Sequence, residues 1–339
     1  MTGGKILLEV QDLKQWFPIK KGVLGRTVNH VKAVDGISFT IHEGETVSVV
    51  GESGCGKSTT GRSILRLVEP TSGKVLFDGV DLATLSKEEM RQKRKDIQII
   101  FQDPYASLNP RQTVFQILDE AMKIQGVGEN GKRRDKIKEL LQTVGLQEHQ
   151  IDLYPHQFSG GQRQRIGIAR ALSVRPKLIV CDEAVSALDV SIQAQVLNLL
   201  KDLQKKYNLT YLFISHDLGV VRHISDRIIV MYLGKIMEIN TKEAMFAEPG
   251  HPYTQALLSS IPSTNLDSHK ERIILTGDVP SPINPPKGCP FHTRCPHAFE
   301  LCQKTKPGYN PLTGDPYGEA VSSCHLVEAG RLVYPAQAV

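Results

Sequence analysis

No apolar run in this chain approaches the roughly 20 residues that a membrane-spanning helix needs, so the sequence offers no candidate span. Residues 1–20 carry Glu9, Asp12, Lys14 and Lys20 and lack the unbroken apolar stretch of a secretory signal. The expectation is a cytosolic chain that reaches a membrane through partners. In a reducing compartment, its six cysteines are not read as a disulfide framework. Basic residues are only mildly in excess, 41 Lys and Arg against 36 Asp and Glu, for a net charge of +5. The densest stretch, Lys87 to Lys95, is broken by Glu88 and Glu89 and reads as a solvated helical face, with no nucleic-acid role. There is no repeat with a period of about 20–50 residues, and no extended heptads to build a long coiled coil. With 40% hydrophobic and 23% charged residues, 339 residues suffice for a large core and two domains.

What is present is a complete P-loop, Gly51-Glu52-Ser53-Gly54-Cys55-Gly56-Lys57-Ser58-Thr59, which implies a bound nucleoside triphosphate. Glycines let successive backbone N–H groups turn toward phosphate oxygens without Cβ clashes. The loop opens a helix, whose first N–H groups and dipole favour an anion. Lys57 reaches the β- and γ-phosphates as a point charge, and the Ser58 hydroxyl suits Mg²⁺. The context agrees: Thr46 to Val50 is a β-branched run before the loop, and Ile64, Leu65, Leu67 and Val68 form a helical stripe after it.

Elsewhere, Lys5 to Val10 and Ile37 to Ile41 read as short strands, and Lys74 to Phe77 followed by Asp78-Gly79 as a hairpin. Ile97 to Phe101 is a compact apolar strand. From Pro104 to about Pro155 the pattern is helical, with Ile117, Leu118, Ala121 and Ile124 in one stripe, Ile137, Leu140, Leu141 and Val144 in another, and Gly145 as a C-cap. A buried strand at 177–181, an amphipathic helix at 191–207 and strands from Leu209 to Ser215 and Arg227 to Met231 complete a strand–helix alternation of the α/β parallel type. The strand Leu178 to Asp182 ends in two carboxylates, Asp182 and Glu183. The first is suited to hold Mg²⁺ through water and the second to polarise an attacking water, the Walker B arrangement.

Four further motifs make the chain resemble the ATP-binding cassette (ABC) ATPases. Phe158-Ser159-Gly160-Gly161-Gln162 is similar to the LSGGQ signature, with Phe158 for Leu. Gln102 in Phe101-Gln102-Asp103-Pro104 resembles the Q-loop, Ser186-Ala187-Leu188-Asp189 the D-loop, and His216 in Ile214-Ser215-His216-Asp217 the switch histidine. The resemblance implies a RecA-like core with an antiparallel β subdomain and a helical subdomain, the latter at about 104–160. Catalysis is expected from Glu183, His216 and Gln102, and Mg²⁺ ligation from Ser58, Gln102 and Asp182. It also implies two cassettes stacked head to tail, with Ser159, Gly160, Gly161 and Gln162 of one subunit, and its Asp189, contributing to ATP held by the other's P-loop. Phe17 is the candidate to stack on adenine, with Trp16 and His30 as rivals across the insertion-like stretch Lys20 to Val31. One departure is Ala184, where the family usually has Pro after the catalytic Glu; loop stiffness should change more than chemistry.

After residue 248 prolines cluster, and 249–339 reads as a loop-rich extension following a nucleotide-binding domain at 1–248. His251-Pro252-Tyr253-Thr254-Gln255-Ala256-Leu257-Leu258 resembles the start of the C-terminal domain of oligopeptide and dipeptide permease ATPases; on residues alone it is a helix start with Pro in the first turn. Phe17-Pro18-Ile19-Lys20-Lys21-Gly22 resembles the second of the two ATPase subunits. Cysteines 289, 295, 302 and 324 place four thiols within 36 residues of a Pro-rich segment, so that a ligand holds it together. Tetrahedral Zn²⁺ and an iron–sulfur cluster both fit Cys289, Cys295, Cys302 and Cys324, and free thiols stay open; the absence of a C-x₂-C pair weakens a zinc ribbon. Resemblance to permease subunits favours a [4Fe-4S] cluster. His292 and His325 rank below the cysteines, and Cys55 and Cys181 read as packing residues.

The function implied is the ATP-binding and hydrolysing subunit of a bacterial importer of dipeptides or oligopeptides, peripheral on the cytoplasmic face of the membrane. Its partners would be a homologous second ATPase, two transmembrane permease subunits docking near Tyr105 to Pro110 and, indirectly, an extracellular peptide-binding protein. The alternatives are an importer of nickel or another small solute and, more remotely, a soluble ABC ATPase acting on DNA or ribosomes.

Overall fold

The computed structural model describes residues 4–22, 25–129, 131–261, 272–313 and 315–330. Twelve strands follow one another among them: β1 (Ile6–Lys21), β2 (Arg26–His42), β3 (Thr46–Val50), β4 (Ser72–Phe77), β5 (Val80–Asp81), β6 (Ile97–Ile100), β7 (Leu178–Asp182), β8 (Thr210–Ile214), β9 (Arg227–Tyr232), β10 (Lys235–Thr241), β11 (Asn310–Pro311) and β12 (Val321–Ser322). The chain forms two compact units, one of residues 1–42, 47–83 and 216–339 and a second of residues 43–46 and 84–215.

In the first unit, β1 lies between β2 and β4, all antiparallel, with β5 at the edge. The β1–β2 hairpin is far longer than the short strands expected: Lys20 pairs with Thr27 and Lys21 with Arg26, so the described residues of the insertion-like stretch extend it. Register shifts between Val10 and Leu13 and again toward Lys20 interrupt the two-residue alternation that marks a strand in sequence. The Asp78-Gly79 turn is as expected, both residues having positive φ, the twist that a two-residue hairpin turn requires. In the same unit β3 pairs in parallel with β9, and β10, β12 and β11 continue antiparallel from it. Residues after 248 therefore supply two strands here. They also supply Tyr253, Cys289, Phe291 and Cys302, which share a buried cluster with Val50, Val230 and Tyr232. Aromatic rings form its centre: Tyr232 and Tyr253 lie 4.9 Å apart and Tyr253 and Phe291 5.2 Å apart.

The second unit carries the parallel strands β6, β7 and β8, in spatial order β8-β7-β6. Both β7 and β8 are buried along their whole length, which explains their unbroken apolar sequences. The stripes at 117–124 and 137–144 lie on helices Val114–Ile124 and Arg133–Thr143, where Ile117, Leu118, Ile137 and Leu141 are buried. Thr113 and Gln116 form a capping box at the first. Asp119 binds both Lys123 and Arg133, at 2.7 and 2.6 Å, tying the helices together at the edge of their apolar contact. Helix Val190–Tyr207 turns Val196, Leu197, Leu200 and Leu203 inward. Among the described residues, no helix is long and apolar enough to cross a membrane.

Candidate active site

In the first unit, the P-loop joins β3 to the helix Lys57–Ile64, whose N-cap Gly56 offers no side chain to the helix terminus. Two glycines are required by contact as well as by dihedral angle. Gly51 (φ 148°) and Gly56 (φ 107°) are in conformations that L-residues avoid, and a Cβ on either would run into a carbonyl oxygen, that of Met231 or Ala33 respectively. The Lys57 ammonium is buried over the loop and donates to the carbonyl oxygens of Gly51 and Glu52, at 2.8 and 3.0 Å. Ser53 and Gly54 face outward, and Ser58 and Thr59 are half-buried on the first helical turn. The Cys55 thiol is pushed up by burial and stays protonated, a packing residue as expected; the same holds for Cys181 on β7 in the second unit. Phe17, on β1, is 39% exposed. Its rivals are engaged with their neighbours: Trp16 Nε1 donates to Asp35 Oδ1 at 3.2 Å, the Lys32 ammonium sits 4.9 Å above the Trp16 ring, and His30 lies 6.2 Å from it. His216 is exposed, and the following Asp217 caps the helix Leu218–Ile224 by accepting from the N–H groups of Gly219 and Val220.

In the second unit, β7 ends at buried Asp182, and Glu183 follows with a φ of 50°. A left-handed glutamate is strained and persists only where several bonds fix it. Its N–H donates to Ile214 O at 3.0 Å, its carbonyl accepts from Ser186 Oγ at 3.0 Å, and its carboxylate accepts from Gln102 Nε2 at 2.8 Å. Gln102, Glu183 and Ser186 thus form one hydrogen-bonded group. Ala184 is buried beside them. Ser159 is the N-cap of the helix Gly160–Leu172 and forms a capping box with Gln162, so Ser159 to Gln162 make a helix N-terminus. Gly161 packs against Ile192 of the helix that Asp189 begins. Tyr105 is 62% exposed, with the Arg163 guanidinium 3.8 Å above its ring, and Leu108 is buried.

The four extension cysteines lie together in the first unit. Cys289 is pushed up to about 12, first by burial and then by the neighbouring Cys324, Cys302 and Cys295, and Cys295 is raised to about 11. The Cys289 N–H donates to Cys302 O at 2.8 Å. Among the described residues, no group of three or more His, Cys, Asp and Glu side chains is arranged to hold a single metal ion. Four cysteine thiols are the donor type that an iron–sulfur cluster or a tetrahedral Zn²⁺ would take. His292 Nδ1 is 2.8 Å from Cys289 O, and both ring nitrogens of His325 are engaged, 2.9 and 3.1 Å from Thr305 O and Glu328 Oε2.

Sequence reasoning passed over Arg294. It forms an ion pair with Glu52 inside the P-loop motif, 2.7 Å at its shortest, and nothing local in either stretch signals a partner so distant.

Residues 34–186 match the family described as ABC transporter, and residues 237–302 match the oligopeptide/dipeptide transporter C-terminal region. The Oligopeptide transport ATP-binding protein AppF of Bacillus subtilis (strain 168) is 55% identical over 323 residues, covering 94% of this chain and 97% of the relative. The Putative oligopeptide transport ATP-binding protein YkfD of the same organism is 56% identical, covering 94% and 95%. Among solved structures, the dimeric ATP-binding cassette MJ0796 in a post-hydrolysis state with ADP and Pi aligns with a TM-score of 0.61 at 29% identity, over 69% of this chain and 98% of its own. CbiO1 from Clostridium perfringens, part of the cbiONQ transporter complex, gives the same score at 28% identity, over 72% and 92%. The chain therefore belongs to the ATP-binding subunits of ABC transporters, as an ABC ATPase whose cassette carries the oligopeptide/dipeptide transporter C-terminal region.

Proposed function

We propose that this chain energises the import of dipeptides or oligopeptides from the cytoplasmic face of the membrane. The observation that carries the reading is the near full-length identity to ATP-binding proteins of oligopeptide transport, which extends through the C-terminal region. Residues 1–248 act as the nucleotide-binding domain, with a helical subdomain at about 104–160, and 249–339 as the transporter-type extension. Two transmembrane subunits take up the closing motion through the strip Tyr105 to Pro110, and a homologous second ATPase completes the pair head to tail. An extracellular peptide-binding protein delivers the solute.

In this reading the amides of Gly51 to Thr59 cradle the triphosphate and Lys57 balances its charge. Ser58, Gln102 and Asp182 offer the oxygen donors that Mg²⁺ prefers, and the ion, when bound, neutralises charge building on the phosphates. Glu183 takes a proton from the attacking water, with Gln102 fixing the carboxylate, and His216 hydrogen-bonds the γ-phosphate. Phe17 stacks on adenine; its exposed ring supports it over Trp16 and His30. Ser159, Gly160, Gly161, Gln162 and Asp189 serve the ATP on the opposite subunit.

Cys289, Cys295, Cys302 and Cys324 hold a [4Fe-4S] cluster, which when bound ties together an extension poor in regular structure. Tetrahedral Zn²⁺ is the competing occupant, ranked lower because the spacing holds no C-x₂-C pair.

Uptake of labelled di- and oligopeptides tests the function in a strain lacking this gene and any redundant importer. Restoration by wild type and not by Lys57→Ala establishes an ATP-driven peptide importer. Equal peptide uptake in all strains moves the assignment to nickel or another small solute and leaves the ATPase intact.

A further inference from the structure

Glu52, the second residue of the P-loop, is held from the far end of the chain. The Arg294 guanidinium forms a two-pronged bond to its carboxylate, Nη1 to Oε2 at 2.7 Å and Nη2 to Oε1 at 3.2 Å. Its backbone N–H donates to Tyr253 Oη at 3.0 Å. Both partners are well anchored. The Arg294 side chain is 9% exposed and lies 5.9 Å from the Tyr232 ring, and Tyr253 is packed between Tyr232 and Phe291. The Glu52 carbonyl meanwhile accepts from Lys57 Nζ at 3.0 Å. One residue thus touches both the phosphate-binding lysine and the extension.

The chemistry of this contact concerns charge. A P-loop concentrates N–H dipoles and a lysine to attract a polyanion, and a carboxylate on the same loop opposes that attraction over a few ångströms. A bidentate arginine cancels the negative charge, and its planar fork fixes where the carboxylate points. We propose that Arg294 is a positioning residue for ATP binding: through Glu52 it fixes the second position of the P-loop and neutralises the carboxylate there. The proposal rests on the reading that Gly51 to Thr59 holds the triphosphate of ATP.

The test is equilibrium binding of Mg-ATP to the full-length chain in a charge-rescue series. Arg294→Ala is expected to weaken ATP about tenfold, and Arg294→Ala combined with Glu52→Gln to bind within about twofold of Glu52→Gln alone. Glu52→Gln alone is expected to bind within about twofold of wild type, since it removes the charge that Arg294 cancels. An ion pair that is merely structural weakens ATP in Glu52→Gln as much as in Arg294→Ala, because both lack the pair. That result, an equal Arg294→Ala loss in both backgrounds, or no loss in either overturns the proposal. Should Arg294→Ala not fold, Arg294→Lys keeps the charge and loses the fork. It is expected to weaken ATP about threefold, a loss removed by Glu52→Gln, and wild-type affinity for Arg294→Lys overturns the proposal in that case. Lys57→Ala, measured alongside, separates the two readings. If it binds ATP like wild type, the P-loop assignment fails; if it loses ATP while the Arg294 series stays flat, only the positioning role fails.

Discussion

Gln102 donates its side-chain amide to the carboxylate of Glu183 across 2.8 Å, joining the end of one strand region to the end of another within the same unit. Glu183 is already fixed by the backbone bond to Ile214 and by Ser186, in a left-handed conformation that few glutamates adopt. The carboxylate is therefore aimed by the fold. Glu183→Gln keeps the size and one acceptor but removes the base. ATP affinity should stay within about twofold while turnover falls by about 10²–10⁴. Single-turnover hydrolysis beside a binding isotherm checks this, and hydrolysis at the wild-type rate removes Glu183 from its role.

Gly56→Ala should damage both fold and site. The residue has a φ of 107°, and an added Cβ meets the Ala33 carbonyl, which is backbone and yields little. A destabilisation of about 3 kcal/mol is expected from the dihedral strain together with the clash. The urea midpoint measures it, and an unchanged midpoint contradicts the geometry.

Glu238 gives a pH signature. It is fully buried on β10, and its Oε1 accepts from the Gly250 N–H at 2.8 Å. Burial pushes the carboxyl up to about 7 from an ordinary 4.5. A carboxyl raised by folding binds more protons in the native state, so its contribution is whole below 4.5 and is lost as pH rises toward 7. Glu238→Gln should accordingly stabilise the protein by about 3 kcal/mol at pH 8, and the gain should vanish below pH 4.5. His251 acts with the opposite sign: burial lowers it to about 3, so its contribution is lost as pH falls from 6.5. The difference between variant and wild type, read from urea midpoints at several pH values, isolates the Glu238 effect. A pH-independent difference rejects it.

Anaerobic purification should yield brown protein with about four irons and four sulfides per chain, and Cys302→Ser or Cys324→Ser should lose most of both. Colourless, iron-free protein holding one zinc assigns the thiolates to Zn²⁺ instead.

The nucleotide motifs were legible because each is local. The P-loop, the carboxylates at the end of β7, Gln102 and the Ser159 cap are short strings whose backbone follows from glycine, strand ends and capping chemistry. The helices at 114–124 and 133–143 announced themselves through the spacing of Ile117, Leu118, Ile137 and Leu141. The length of β1 and β2 was hidden, because their register shifts break the alternation that reveals a strand. Beyond residue 248 the difficulty was of another kind. Tyr253 and Phe291 are buried against Tyr232, and Arg294 pairs with Glu52, through contacts that no local pattern encodes.

The partners Glu52 and Arg294 stand 242 positions apart, which gives the P-loop a history during synthesis. At about 5–20 residues per second, the ribosome finishes the phosphate loop roughly 12–48 s before it supplies the arginine. The emerging cassette passes that interval with an uncompensated carboxylate beside its phosphate loop. On the role proposed for Arg294, the half-made chain is expected to bind ATP more weakly than the finished one, in which the segment carrying Arg294 is in place.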